Sequence, residues 1–271
     1  MNKIFRKCQD FGLMVHLQDI PIDKSVSCVK SLKKGNIPLC VVDASANNGF
    51  DIIKKITSNE ELFVAAQNIN NISDAYRAIG VGAQFFLLEK FDTTFMSELT
   101  ENGFFYIPRV NNNEELKICE DKNLECVILS DKTILNGSTM PYVSYGYDNN
   151  ALFSIINLPS KEIDWELWIN NEYKEFLGLA YTEVHLSHDA TNEDKLFGDI
   201  FASTNKSKTV INSENCLLLE CRDFIKTVNY FKWRGIYIDP NNAEYRNDKI
   251  IKAPLDCRLN GFLIYLKEKN I

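Results

Sequence analysis

Short apolar runs alternate with amphipathic stretches through the first half of the chain. LMVHL (13–17), PLCVVDA (38–44), LFVAAQ (62–67), QFFLL (84–88), FFYIP (104–108) and ECVIL (125–129) are apolar almost throughout and predict strands. Between them SVSCVKSLKKG (25–35), FDIIKKI (50–56), SDAYRAIG (73–80), FMSELTENG (95–103) and EELKICEDK (114–122) read as short helices. Strands without polar alternation are buried on both faces, which fits a parallel sheet covered by helices. The even spacing of six such units in the first 130 or so residues favours a TIM-type (β/α) barrel over an open sheet.

After Ile128 the rhythm fails. TILNGST (133–139) is too short for a helix, MPYVSYG (140–146) reads as a seventh strand, and NNALFSII (149–156) as the helix after it. The barrel is therefore expected to be incomplete over residues 1–157. An acidic connector with two tryptophans and one helix follows at 158–176. From 177 to 271 the pattern is that of an α+β domain. GLAYTEVHLS (178–187) alternates as a half-buried strand. TNED (191–194) resembles a capping box leading into KLFGDIFA (195–202). TVINSENCLLLE (209–220) gives strands and RDFIKTVNYFKWRG (222–235) a helix, then IYID (236–239), KIIKA (249–253) and GFLIYLKE (261–268) give more strands. Strand edges left by a gapped barrel would need covering by the second domain or a second chain, so a homo-oligomer is expected.

Composition narrows the classes. The chain has 271 residues, 45% apolar and 25% charged, as in an ordinary globular protein. A net charge of −7 with no dense Lys/Arg patch argues against nucleic acid or an anionic membrane as partner. Nothing approaches the run of about 18 apolar residues that spans a bilayer, and the N-terminus lacks the form of a signal peptide. The eight cysteines lie mostly inside apolar runs with no C-x-x-C pair, which suits reduced thiols in a cytoplasm. No cofactor is expected.

Five segments, GLMVHLQD (12–19), GNIPLCVVD (35–43), AIGVGAQFF (78–86), IPRV (107–110) and ECVIL (125–129), resemble the KDPG/KHG aldolases, class I enzymes built on a single TIM barrel. LGLAYTEVHLS (177–187), IKTVNYFKWRG (225–235) and NGFLIYL (260–266) resemble a truncated glyoxalase-like, vicinal oxygen chelate module. The first resemblance implies a Schiff-base lysine in strand six, where this chain has Ile128, and a catalytic glutamate at the end of strand two, where it has Val41. Isoleucine forms no imine and valine moves no proton. The arginines that would hold an anionic substrate fall on Gln18 and Ser45, and a threonine of strand three on Asn68. Arg109 stands where a glycine would follow Ile-Pro, and the glycine-rich phosphate loop is reduced to Gly146 between Tyr145 and Tyr147.

Lys132 is a tempting substitute nucleophile, but it lies beyond the strand in a Ser-Asp-Lys turn. A solvated lysine beside Asp131 is the simpler account. Glu183 and His185 share a strand face, and Glu183 matches a metal-ligand position of the glyoxalase-like pattern, yet the partner positions fall on Cys216 and Tyr265. Arg109 reads either as an anion contact or as a charge plugging a disused pocket. The tyrosines of PYVSYGYD (141–148) with Trp165 and Trp168 suit a protein interface or simple packing.

Two functions follow. The first is a catalytically degenerate aldolase-like protein with a binding, scaffolding or regulatory role, possessing an anionic small ligand or a protein partner. The second is a diverged lyase or aldolase acting on a small 2-keto acid or keto-deoxy sugar acid with a rearranged active site, with Asp43, Asn68, Arg109 and Lys132 as its candidate groups at strand C-terminal ends.

Overall fold

The computed structural model describes residues 3–35, 37, 39–59, 62–148, 150–159 and 164–269. The expected strand start at Pro38 and part of the connector (160–163) lie outside them. The chain divides into two compact units, Met1–Asn170 and Asn171–Ile271.

The first unit is a closed barrel of eight parallel strands. They are β1 (Leu13–His16), β2 (Leu39–Asp43), β3 (Phe63–Gln67), β4 (Phe85–Leu88), β5 (Tyr106–Val110), β6 (Val127–Leu129), β7 (Tyr142–Tyr145) and β8 (Phe153–Asn157). The first helix, α1 (Lys3–Phe11), precedes β1. Helices α2 (Ser25–Lys34), α3 (Gly49–Asn59), α4 (Ile72–Gly80), α5 (Thr93–Glu101) and α6 (Asn113–Asp121) follow the first five strands. Asn71, Asp92 and Asn112 cap α4, α5 and α6 by accepting from backbone N–H groups of the first turn, which satisfies donors that have no partner within the helix.

The expectation of an incomplete barrel is overturned. After β6 the connection is a single 3-10 turn (Lys132–Leu135), as the shortness of 133–139 predicts. The stretch read as a helix at 149–156 instead holds β8, which pairs with both β7 and β1 and closes the ring. LFSII is a short apolar run that fits either period. The closure is settled by cross-strand pairing, which a local pattern does not contain. A closed barrel has no edge to cover, so the argument for a second chain at a barrel gap loses its premise.

Strand register sorts the barrel side chains into two sets. His16 lies beside Val41, Val41 beside Ala65, Arg109 beside Ile128, Ile128 beside Val143, and His16 beside Asn157. These residues share the inner face. Phe63, Phe85 and Phe105 belong to the same set at the N-terminal ends, and α1 lies across that end. The Phe5 ring is 6.0 Å from Phe105, and Lys7 Nζ is 4.4 Å from the Phe63 ring centre. Helix α1 was not anticipated: its buried Phe5, Cys8 and Phe11 recur every three residues between basic and polar ones, too short a segment to stand out. Residues of the opposite parity meet the outer helices, as the Tyr106 hydroxyl does at Thr100 of α5, 3.0 Å away.

The second unit is a six-stranded mixed sheet in the order β10-β9-β11-β14-β13-β12. Its strands are β9 (Ala180–Ser187), β10 (Lys208–Asn212), β11 (Cys216–Cys221), β12 (Glu244–Arg246), β13 (Lys249–Leu259) and β14 (Phe262–Glu268). Helix α7 (Trp165–Leu177) precedes β9, α8 (Asn192–Asn205) joins β9 to the parallel β10, and α9 (Phe224–Lys232) follows β11. The capping box read at TNED forms, Thr191 and Asp194 bonding reciprocally at the start of α8. One sheet face packs on the helices, in clusters around Val184, Leu217 and Phe262 with Ala202 of α8, and around Leu219, Ala253 and Leu266 with Phe224 of α9. Residues 236–239, expected as a strand, make only an isolated bridge, Ile238 with Leu255. The edge strand β12 was missed in the sequence because its EYR is polar and exposed.

Gly49, at the start of α3, sits against the end of β2. A Cβ there would stand 2.2 Å from the Asp43 carbonyl oxygen and 2.9 Å from Ala44 Cα. Backbone atoms have little room to yield, so Gly49→Ala is expected to destabilise the protein by about 1–3 kcal/mol. Urea unfolding should show a lower midpoint with an unchanged slope.

Candidate functional site

The C-terminal ends of parallel strands converge on one mouth, and the inner-face residues at those ends are polar. Glu89, just past β4, is the hub. Its Oε1 accepts from Gln67 Nε2 of β3 (2.7 Å) and from the Tyr145 hydroxyl of β7 (2.5 Å). Gln67 Nε2 also reaches the Tyr145 oxygen at 3.2 Å. Arg109 Nε of β5 lies 2.9 Å from Glu89 Oε2, an ion pair not aligned as a hydrogen bond, and its guanidinium sits 4.6 Å from the Tyr145 ring centre. Burial and then the Glu89 carboxylate push the Tyr145 hydroxyl far above its ordinary pKa. It stays protonated and donates to Glu89. Four side chains from four strands thus bind one another across the mouth.

Beneath this polar layer the interior is apolar. Val41 and Ile128, where the aldolase resemblance places glutamate and lysine, are both fully buried. Met14, Ala65, Leu87 and Val143 have no exposed surface either. Among the described residues the inner face offers no amine or carboxyl group at that depth. Arg109 pairs with Glu89 and stacks near Tyr145 at the mouth, and both glutamate and tyrosine were missed as its partners. The signal for Glu89 was present in LLEK, an acid directly after a strand, but nothing local shows which side of the barrel it faces.

Asp43 and Asn68 also come together. Asn68 Nδ2 donates to Asp43 Oδ2 at 2.8 Å, while Ser45 donates to Oδ1 from both its N–H and its hydroxyl. Burial opposes ionisation of Asp43, but these bonds outweigh it and hold its pKa below the usual value. Gln18 is exposed on the β1–α2 connection. Lys132 is not at the mouth interior. Its ammonium is 2.8 Å from Asp148 Oδ2, which also accepts from the Tyr142 hydroxyl, and its side chain is 60% exposed. Tyr142 belongs to the opposite parity from Val143, so this pair lies on the outer side of the strands. Asp131, its neighbour in the turn, caps the 3-10 turn by accepting from Thr133 N–H.

His16, absent from the candidate residues, ends β1 at the mouth. Its Nδ1 donates to Asn157 Oδ1 of β8 at 3.2 Å, and its Nε2 is buried with no hydrogen-bond partner. Burial lowers its pKa, against raising contributions from the Asn157 bond and from Asp43 and Glu89. The only sequence signal was a single polar residue closing an apolar strand, which reads as an ordinary strand end. Beside it a cleft of about 570 Å³ runs between residues 16–22 and the β2–α3 connection, lined also by Val42, Asp43, Ala46–Asn48 and Ile52. A second cleft of about 360 Å³ is lined by residues 44–51 with Asn68, Asn70 and Arg77. Neither is lined by Val41, Arg109 or Ile128.

In the second unit, Glu183 Oε2 and His185 Nε2 bond each other at 2.7 Å, and His185 Nδ1 lies 2.8 Å from Asn212 Nδ2. Cys216 stands opposite His185 and Leu218 opposite Glu183. Tyr265 donates to Glu214. Among the described residues no group of three or more His, Cys, Asp or Glu side chains is placed to hold a metal ion. All eight cysteines are unbridged, and no helix of the described residues is long and apolar enough to cross a membrane.

No protein-family model matches this chain, and no curated protein sequence matches it either. Solved structures do. The chain is similar to the 2-keto-3-deoxy-6-phosphogluconate aldolase of Zymomonas mobilis, with 13% identity and a TM-score of 0.56 over 63% of this chain and 94% of that one. It is likewise similar to the KDPG aldolase of Legionella pneumophila, which was captured with pyruvate as a covalent carbinolamine, with 11% identity and a TM-score of 0.51 over 65% and 94%. Identities this low establish the aldolase-like TIM-barrel fold and leave the chemistry to the residues present.

Two outcomes are expected from the mouth. Replacing Glu89 with Gln strands the Arg109 charge. Both side chains are about a quarter exposed, so the cost should be about 1–2 kcal/mol, less than for a fully buried pair, read by urea unfolding. His16 has a folded pKa below its unfolded value, so the unfolded state binds the extra proton first. Stability is then full above the unfolded pKa of about 6.5 and falls as pH drops toward the folded pKa. His16→Gln should flatten the difference in unfolding free energy between pH 7.5 and pH 5.5.

Proposed function

We propose that the barrel is a catalytically silent aldolase-like scaffold that serves in binding or regulation. The observation that carries this reading is the pair Val41 and Ile128. Both are fully buried beneath a mouth closed by Glu89, Arg109, Gln67 and Tyr145. Schiff-base chemistry needs an amine that is partly neutral near pH 7 and open to a carbonyl carbon. Lys132, the nearest lysine to strand six in sequence, is exposed and paired with Asp148 on the outer side of the strands, away from the barrel axis. The groups a diverged lyase would use are committed elsewhere: Asp43 to Ser45 and Asn68, and Arg109 to Glu89.

For the second unit we propose a glyoxalase-like origin. Its β11–α9–β12–β13–β14 segment is a strand, helix and three strands with the last returning beside the first, in the order β11-β14-β13-β12. The β9–α8–β10 segment is a shortened companion to it. Its Glu183–His185 pair supplies two adjacent groups on a polar face, with Cys216 and Tyr265 beside them; burial pushes the Cys216 thiol up to about 11, which keeps it protonated, and among the described residues no three such groups are placed to hold a metal ion.

Borohydride reduction in the presence of pyruvate tests the barrel reading. The expected result is no mass increment on the protein. A stable adduct, mapped to any lysine, would show that imine chemistry has survived by relocation.

A further inference from the structure

The sheet of the second unit has two edges, and they are guarded unequally. At one edge β12 has three residues, two of them charged, and a bulge breaks its register with β13. Shortness, charge and bulges are the devices that keep a sheet edge from pairing. At the other edge β10 has none of these beyond the lysine at its start. Its five residues, KTVIN, pair with β9 in unbroken register, lack proline and include three consecutive β-branched side chains. Among the described residues nothing pairs with the outer side of β10, and Ile211 is 60% exposed.

The charges around this edge are divided between its ends. Helix α8 runs opposite to β9 and to the parallel β10, so its first turn lies at the C-terminal end of β10 and its last turn at the start. Asp189, Glu193 and Asp194 therefore gather at the C-terminal end, while Lys206 and Lys208 mark the other. Lys195 and Asp199, one helical turn apart between them, offset each other. Glu183 stands beside Lys208 in β9 but is bonded to His185. An edge with one acidic and one basic end complements a copy of itself turned end for end.

We propose that two copies of this chain join through β10, antiparallel, about a two-fold axis at Val210. Val210 then faces the second copy's Val210, Thr209 its Ile211, and Lys208 its Asn212. Thr209 and Ile211 are level with Val184 and Leu186, on the face covered by α8, and Val210 is level with His185 on the open face. Each face thus receives β-branched cross-strand pairs, the kind that stabilise antiparallel ladders. The basic end of each strand meets the acidic end of the other. A parallel second copy would instead set Lys208 beside Lys208 and acid beside acid. Every residue involved belongs to the second unit, so the inference stands whether or not the barrel reacts.

The test is sedimentation of the full chain from about 1 to about 500 µM, in low and in high sodium chloride. The expected result is a reversible monomer–dimer equilibrium with a Kd of about 10–100 µM, weak because a five-residue edge is a small interface. High salt should weaken it about threefold or more, since the end-to-end charge matching is exposed. Ile211→Lys should weaken it about tenfold or more while leaving the urea midpoint of the monomer unchanged, because the side chain is exposed. Val210→Cys, mildly oxidised, should yield a covalent dimer that the wild-type chain does not, because the axis brings the two thiols within disulfide reach. Asn212→Cys should not, since its neighbour across the axis is Lys208. A monomer at every concentration, a trimer, a dimer indifferent to Ile211→Lys, or no disulfide from Val210→Cys would each overturn the proposal.

Discussion

The pairing of β8 with β1 is the constraint on which the rest of the first unit depends. Four residue pairs, from Leu13 with Ser154 to His16 with Asn157, turn a row of eight strands into a ring. Closure fixes which side chains face the axis. It also brings together residues that are far apart in sequence, such as Gln67 with Tyr145 and His16 with Asn157. Without β8 the edges of β1 and β7 would carry unpaired backbone groups, an arrangement that proteins avoid. With it, the shortened connections after β6 and β7 are tolerable, because the ladder supplies what the missing helices do not.

The closed ring sets two layers against each other. Below, fully buried apolar side chains fill the axis, as in a packed barrel core. Above, Glu89, Arg109, Gln67 and Tyr145 hold one another. The charge of Arg109 is tolerated because Glu89 lies 2.9 Å away, and the phenol stays a donor because burial, and then the same carboxylate, raise its pKa. That arrangement has more in common with a sealed end than with a pocket, and the accessible space lies to one side, against β1 and β2.

The second unit solves a different problem. Its sheet is covered by helices on one face only, so the strands alternate, and the open face collects pairs such as Glu183 with His185 and Lys252 with Glu244. The alternation in GLAYTEVHLS was legible for that reason. The local strength of each pair is modest where it is exposed, and the unit is held by the two apolar clusters under the helices.

The sequence by itself determined the six leading strands and the five helices between them, the capping box at Thr191 and the absence of lysine and glutamate at positions 128 and 41, since these follow from local periodicity and residue identity. It misread 149–156, because a five-residue apolar run suits a strand or a helix equally until its neighbours are known. It gave no hint of His16, Glu89 or Asn157 as a group, since each is an unremarkable polar residue at the end of its own strand. Only tertiary structure decided that β8 closes the ring, that Lys132 turns outward to Asp148, and that His16 meets Asn157 across the closing pair of strands. The physical reason is the same in each case: these outcomes depend on contacts between residues tens to more than a hundred positions apart, and local pattern carries no information about which strand ends will meet.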